Sequence, residues 1–391
     1  MFARQDGRRG HHGRENMGTD IQGICDSRFA PVREAFAENF ESGEEVGAAV
    51  AVTVEGEYVV DLWGGHMDAE RTRRWEEDTI VNVWSCTKAM TALCAHMLVD
   101  RGELDVNAPI AGYWPEFAAN GKEGTLVRHA LSHQAGLPVF EGVAGRLDTF
   151  DWDWTVNNLA NASPAWPAGT QLAYHALTFG TLVGEVVRRI DGRTLGTFFR
   201  EEVAVPLGAD FQIGLPVSDH ARVAPFVPPD VWDGPDIGFI NTPEARSAEI
   251  PAGNGHGNAR SLARVMAALA NGGELDGVRL IRRETLEAAI SEQVYEMDGT
   301  IERLYRRSLG YILMSPELAG GMGLPPAFYK DSGPAPRIFG HDGLGGAQAF
   351  CDLDRKVAWS YTMNNMTGSA RHERGNVRVA RLMKALAPCL S

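Results

Sequence analysis

The sequence predicts an α+β fold: one antiparallel sheet with terminal helices on one face, packed against a mainly helical second lobe. Two pairs of apolar, β-branched runs lie far apart, one turning near residue 55 and the other near residue 354. Each pair neighbours an amphipathic helix close to a chain end, and helical periodicity dominates between them. Distant hairpins of this kind can join edge to edge, with the terminal helices covering the joined sheet. Strands and helices do not alternate along the chain, which disfavours a doubly wound parallel sheet.

Residues 1–20 are rich in Arg, Gly and His and lack an apolar signal core, so they read as a flexible tail, with Met1 or Met17 as the start. Phe29, Val32, Phe36 and Phe40 recur at helical spacing and predict a helix over 28–40. Strands follow over 47–54 and 57–63 around the turn Glu55-Gly56, and Gly64-Gly65 ends the hairpin. A helix then runs from Ser85 to near Gly102, and a shorter one from Thr125 to Ser132 closes at Gly136-Leu137-Pro138. Residues 139–170 carry Trp152, Trp154 and Trp166 with little periodicity and read as a long packed loop of the kind that binds ligands. Helices are expected over 178–190, stopped by Asp191-Gly192, and over 195–203. Residues 215–255 are rich in Pro, Gly and Asp and read as irregular. A helix over 260–270, a hairpin pairing 346–352 with 356–363 around Asp354-Arg355, and a closing helix over 376–386 complete the chain. The expected division is a tail (1–20), a sheet lobe (21–80 with 240–391) and a helical lobe (81–239), with the active site between the lobes.

Composition narrows the function. The 391 residues are 44% hydrophobic and 23% charged, enough for two substantial cores. A formal net charge of −14 and the absence of a Lys/Arg cluster argue against a nucleic-acid partner. No run of 18 apolar residues occurs, so no membrane partner is expected. The five cysteines are odd in number and not in CxxC spacing, so they read as reduced thiols of a cytoplasmic protein rather than a disulfide framework or metal site. The glycines of Gly253-Asn254-Gly255-His256-Gly257 have the wrong spacing for a dinucleotide fingerprint, and no cofactor is expected. The oligomeric state is open.

The most informative stretch is Ser85-Cys86-Thr87-Lys88. A serine and a lysine three apart share one face of a helix. Ser-x-x-Lys occurs by chance on many solvated helices, but here the chain has only five lysines. An apolar approach, Thr79 to Trp84, precedes the motif, and the helix from Ala89 to Val99 is apolar almost all round. Lys88 is therefore expected to be buried. A desolvated lysine loses its proton more easily, and the neutral amine can take the proton of a serine hydroxyl.

The order of motifs resembles the serine β-lactamase and penicillin-binding-protein superfamily from about Phe36 to the end. Its nucleophile motif is Ser-x-x-Lys, followed by a Tyr-x-Asn element and a Lys-Thr-Gly strand. The segment Arg128 to Leu137 is similar to a helix and turn of the class C branch; Tyr174-His175-Ala176 looks like the Tyr-x-Asn region, and His341-Asp342-Gly343 stands in the Lys-Thr-Gly place. Ala176 replaces the asparagine, and the Lys-Thr-Gly cation is missing. Both departures resemble the esterase branch, the family VIII type of carboxylesterase.

The resemblance implies a β-lactamase/transpeptidase-like fold and a division of roles. Ser85 would be the nucleophile, Lys88 would help deprotonate it, and Tyr174 would act as second general base and acid. The backbone N–H groups of Ser85 and Leu344 would form the oxyanion hole. His341, Gly343 and His175 would line the substrate site. Trp84, Trp152, Trp154 and Phe150 either shape an apolar acyl pocket or belong to ordinary core packing. The expected activity is hydrolysis of small-acyl carboxylic esters through an acyl-enzyme on Ser85. The alternatives are acyl transfer to an alcohol or amine, amide or β-lactam hydrolysis, and a catalytically silent binding protein on the same fold.

Overall fold

The computed structural model describes residues 20–143, 145–228, 238–316, 328, 337–366 and 377–390. The expected N-terminal tail and the alternative starts therefore lie outside the described residues, apart from Asp20.

The first hairpin is β2 (Gly47–Val54) and β3 (Glu57–Gly65), preceded by a short β1 (Gln22–Cys25). Glu55 and Gly56 turn it with φ of 52° and 94°, the left-handed geometry of a tight hairpin. A ribbon inside the chain joins β4 (Val81–Asn82), β5 (Phe211–Gln212) and β6 (His256–Gly257), and β7 (Glu274–Leu275) pairs with β8 (Val278–Arg279). The remaining strands are β9 (Val294–Met297), β10 (Leu304–Arg307), β11 (Ile312–Leu313), β12 (Ile338–Asp342), β13 (Gln348–Asp352) and β14 (Val357–Met363). Nine strands make one sheet in the order β1-β3-β2-β14-β13-β12-β11-β10-β9. The two hairpins meet at β2 and β14, which run antiparallel from Val54↔Val357 to Ala48↔Met363. The fold class expected from the sequence is the one observed.

Strand alternation sets the faces. Ser360 and Asp61 turn toward the helix Ala259–Ala270, where Ser360 donates to the Ala259 carbonyl and Asp61 pairs with Arg260. Tyr361 turns the other way, under the guanidinium of Arg378 on the C-terminal helix Val377–Leu386, which packs against helix α1 (Ala30–Glu41). The terminal helices thus share one face, and the helix Ala259–Ala270 packs on the other. Among the described residues, no helix is long and apolar enough to cross a membrane.

Three readings need correction. The loop expected over 139–170 contains a helix, Trp152–Asn161; Asp151 caps it by accepting from the Trp154 N–H, a start signal obscured by the surrounding tryptophans and asparagines. The helix expected over 195–203 is regular only over Leu195–Phe199 and widens into a π turn over Arg200–Ala204. Strands β1, β9, β10, β11 and β12 were unexpected: they are only two to five residues long, so period-two alternation has little length in which to appear.

Candidate active site

Helix α2 (Thr87–Asp100) is buried on every side from Thr87 to Leu98. The chain enters it through a tight 3-10 turn, Trp84–Cys86, so Ser85 stands just before the helix rather than in it. Trp84 adopts φ of 49°, unusual for a bulky residue, and its N–H is held by the Asn82 Oδ1 at 2.8 Å. Behind the turn, Val83 donates to the Gly255 carbonyl at 2.9 Å, and the Gly255 N–H donates to Thr87 Oγ1 at 2.9 Å. In front of it lies the end of β12. The Cys86 thiol donates to the His341 carbonyl at 3.4 Å, and a Cβ at Gly343 would stand 2.4 Å from the Val83 carbonyl oxygen. Only a glycine allows β12 to approach the Ser85 turn this closely.

Ser85 Oγ has two close neighbours. The Lys88 Nζ lies at 3.1 Å, and the Tyr174 hydroxyl donates to it at 2.6 Å. Lys88 is fully buried and also reaches the carbonyls of Ala176 at 2.8 Å and Ala252 at 2.7 Å. Burial first, and then the charge of Arg307, hold its amine well below the usual lysine range, while Asp342 pulls weakly the other way. Its Nζ thus faces three oxygens, the two carbonyls and Ser85 Oγ. Burial pushes the Tyr174 phenol up, against the hydrogen bond to Ser85 and the charge of Arg307. Burial thus favours the protonated phenol of Tyr174.

Tyr174 is gripped from several sides. Its N–H donates to Asp298 Oδ1 at 3.0 Å. The His133 ring lies 4.9 Å from its ring, and His133 Nδ1 accepts the His175 N–H at 3.0 Å. The Arg307 guanidinium stands 5.0 Å over the ring and 3.8 Å from the Asp298 carboxylate. Arg307 and Asp298 were not found from the sequence. A signal was present: Tyr305 and Arg307 alternate onto one face of β10, and an inward arginine requires a partner.

The other expected site residues fall into two groups. His341 stays at the site: its ring lies 6.1 Å from Tyr174 and its Nδ1 donates to the Asp342 carbonyl at 2.7 Å. Burial, then the charges of Lys88 and Arg307, keep it neutral, with Nε2 left as a buried acceptor that has no partner among the described residues. Trp84 and Gly343 also border Ser85, with Trp84 5.3 Å from the ring of Phe226, and Leu344 follows Gly343 at the start of a short turn. His175 does not line the site. It is fully buried, Nε2 accepts from the Leu137 N–H and Nδ1 donates to the Ala173 carbonyl. Trp152 is likewise a packing residue: its indole N–H donates to Glu185 at 3.0 Å and its ring covers Gly184. Trp154 and Phe150 join aromatic pairs with Phe140 and Phe239.

The turn of Ser85, the buried Lys88 and Tyr174 thus meet beside the end of β12. A family model described as Beta-lactamase matches residues 32–384. The "Esterase/beta-lactamase LipL" of Mycobacterium tuberculosis is 35% identical over 91% of this chain and 85% of its own length. The crystal structure of a family VIII carboxylesterase superposes with a TM-score of 0.86 at 42% identity, covering 95% of this chain and 100% of that one. A penicillin-binding protein homologue from Caulobacter crescentus gives 0.84 at 40% identity, over 95% and 100% of the two chains. The chain belongs to the β-lactamase family and is a hydrolase of that family.

Proposed function

We propose that this enzyme hydrolyses small-acyl carboxylic esters through an acyl-enzyme on Ser85. The observation that carries the reading is the position of Ser85 Oγ between Lys88 Nζ at 3.1 Å and the Tyr174 hydroxyl at 2.6 Å. In acylation, the Ser85 O–H proton passes to Lys88 as Oγ bonds to the ester carbonyl carbon. The N–H groups of Ser85 and Leu344 receive the developing oxyanion. When the carbonyl–oxygen bond to the alcohol breaks, Tyr174 gives its proton to the leaving oxygen and is reprotonated from Lys88. Water then repeats the sequence on the acyl-enzyme. The esterase descriptions of two relatives support the ester over the amide. Two departures also support it: Ala176 offers no side-chain amide, and neutral His341 offers no cation.

The test is direct. Mass spectrometry of protein quenched with a slow p-nitrophenyl ester is expected to find the acyl group on the Ser85 peptide, and Ser85→Ala is expected to lose both labelling and turnover. An acyl group elsewhere, or turnover of nitrocefin equal to that of p-nitrophenyl butyrate, would end this reading.

A further inference from the structure

Among the described residues, the charges around Ser85 do not cancel. Lys88 is driven toward the neutral amine, and His133, His175 and His341 are all held below the usual histidine range, mainly by burial. Arg307 is buried with Asp298 at 3.8 Å, so these two offset each other behind Tyr174. Asp342 remains. Its side chain is 30% exposed, and among the described residues its one charge partner within 4 Å is His341, at 3.5 Å, whose ring is neutral.

Asp342 also stands at the end of β12, beside the Ser85 turn. The residues on both sides of it touch the nucleophile turn, His341 through the Cys86 thiol and Gly343 through its close approach to Val83. Its carboxylate folds back toward the His341 ring, which faces Tyr174. The charge of Asp342 pulls upward on Cys86, Tyr174 and Tyr305, and on Lys88 against the larger lowering by burial and Arg307. A second negative charge brought to Ser85 would feel the same field with opposite consequence.

We propose that Asp342 makes this site selective by charge: it admits neutral and cationic esters and rejects those carrying a carboxylate near the scissile bond. The inference rests on the ester reading above and adds a specificity-determining residue to it. It also goes beyond the missing cation at His341, because a site that merely lacked a cation would be indifferent to substrate charge. One uncompensated charge at about 7 Å and an effective dielectric of about 30 corresponds to roughly a tenfold effect on the rate constant.

The experiment compares mono-p-nitrophenyl adipate with its methyl ester, in which the carboxylate is capped and the acyl chain is otherwise the same. The readout is the ratio of kcat/KM between the two, corrected for spontaneous hydrolysis, which cancels whatever a substitution does to the chemistry common to both. The wild type is expected to favour the methyl ester by about tenfold at low salt. Asp342→Asn is expected to bring the ratio close to one, and Asp342→Lys to reverse it. Should those variants fail to fold, salt on the wild type decides: raising it to about 0.5 M should narrow the ratio several-fold, since screening weakens a partly exposed charge. A ratio that stays within about twofold of its starting value in the variants, or on the salt titration alone, would overturn the proposal. Failure of the wild type to cleave either ester would instead strike the ester reading, and the charge selection would fall with it.

Discussion

The guanidinium of Arg307 lies 5.0 Å over the ring of Tyr174, and 98% of Arg307 is shielded from solvent. This cation stands where it can act on both partners of Ser85: it lowers the amine of Lys88 and opposes the upward push of burial on Tyr174. On the mechanism proposed above, it would be a positioning residue, acting through Lys88 and Tyr174.

The first prediction concerns the acid limb of activity. Turnover needs neutral Lys88, so kcat/KM should fall as pH drops through the Lys88 pKa. Arg307, together with burial, keeps that pKa low, while Asp342 and Cys86 raise it. Arg307→Met should therefore move the acid limb to higher pH, and Arg307→Lys, which keeps the charge, should leave it near its wild-type position. A purely structural arginine would lower activity at every pH without moving the limb.

A second expectation is that Lys88 and Tyr174 behave as one unit. Lys88→Ala and Tyr174→Phe should each reduce kcat/KM by about 10²- to 10⁴-fold, and the double variant should be little worse than the poorer single one. Lys88→Arg should not rescue, because a guanidinium accepts no proton. Additive losses, or a working Lys88→Arg, would show that position 88 supplies only charge.

Gly343 offers a geometric test. A methyl group there would collide with the Val83 carbonyl at 2.4 Å and force β12 away from the Ser85 turn. Gly343→Ala is expected to lower kcat by about tenfold or more, the sensitivity of a preorganised site to small displacements. Steady-state kinetics with circular dichroism would check it; an unchanged kcat in a folded variant would mean that β12 does not set the reacting geometry.

Stability should depend on buried histidines. His96 and His175 are lowered to about 4 and His256 to about 3, in each case chiefly by burial. The unfolded chain binds these protons near pH 6.5, whereas the folded chain resists them to much lower pH. Their effect is absent above pH 6.5 and destabilises the fold progressively as pH falls toward 4, by up to about 1.4 kcal/mol per pH unit for each group. Urea midpoints between pH 7 and 4 would measure this. His96→Gln, which keeps a donor for the Leu309 carbonyl held by His96 Nε2 at 2.7 Å, should flatten the slope by about one proton.

The two hairpins could be read directly because β2, β3, β13 and β14 are five to nine residues long and mostly apolar. The serine and its lysine stood out because lysine is scarce and its surroundings are apolar. The strands β9 to β12 were hidden by their shortness, and they carry what was missed at the site: Arg307, the Asp298 that follows β9, and the charge on Asp342 beyond the lost lysine. No local pattern states that residue 307 will lie over residue 174. His175 shows the reverse failure. Its place beside Tyr174 in sequence suggested a role toward substrate, but alternation along the chain turns it inward, where two backbone groups take both its nitrogens.

The turn that carries Ser85 is fastened to three segments remote in sequence. Val83 and Thr87 hold the chain near Gly255, Thr91 donates to the Pro251 carbonyl at 2.6 Å, and Cys86 reaches His341, while Lys88 ties in Ala176 and Ala252. Among the described residues, the Ser85 turn is thus held by distant parts of the fold and not by one small hinge or flap. Its geometry is a property of the assembled chain, and it is expected to disappear in the same cooperative transition as the fold. Heat or denaturant should therefore extinguish catalysis and helical signal along one superimposable curve, leaving no window in which the enzyme is folded but idle.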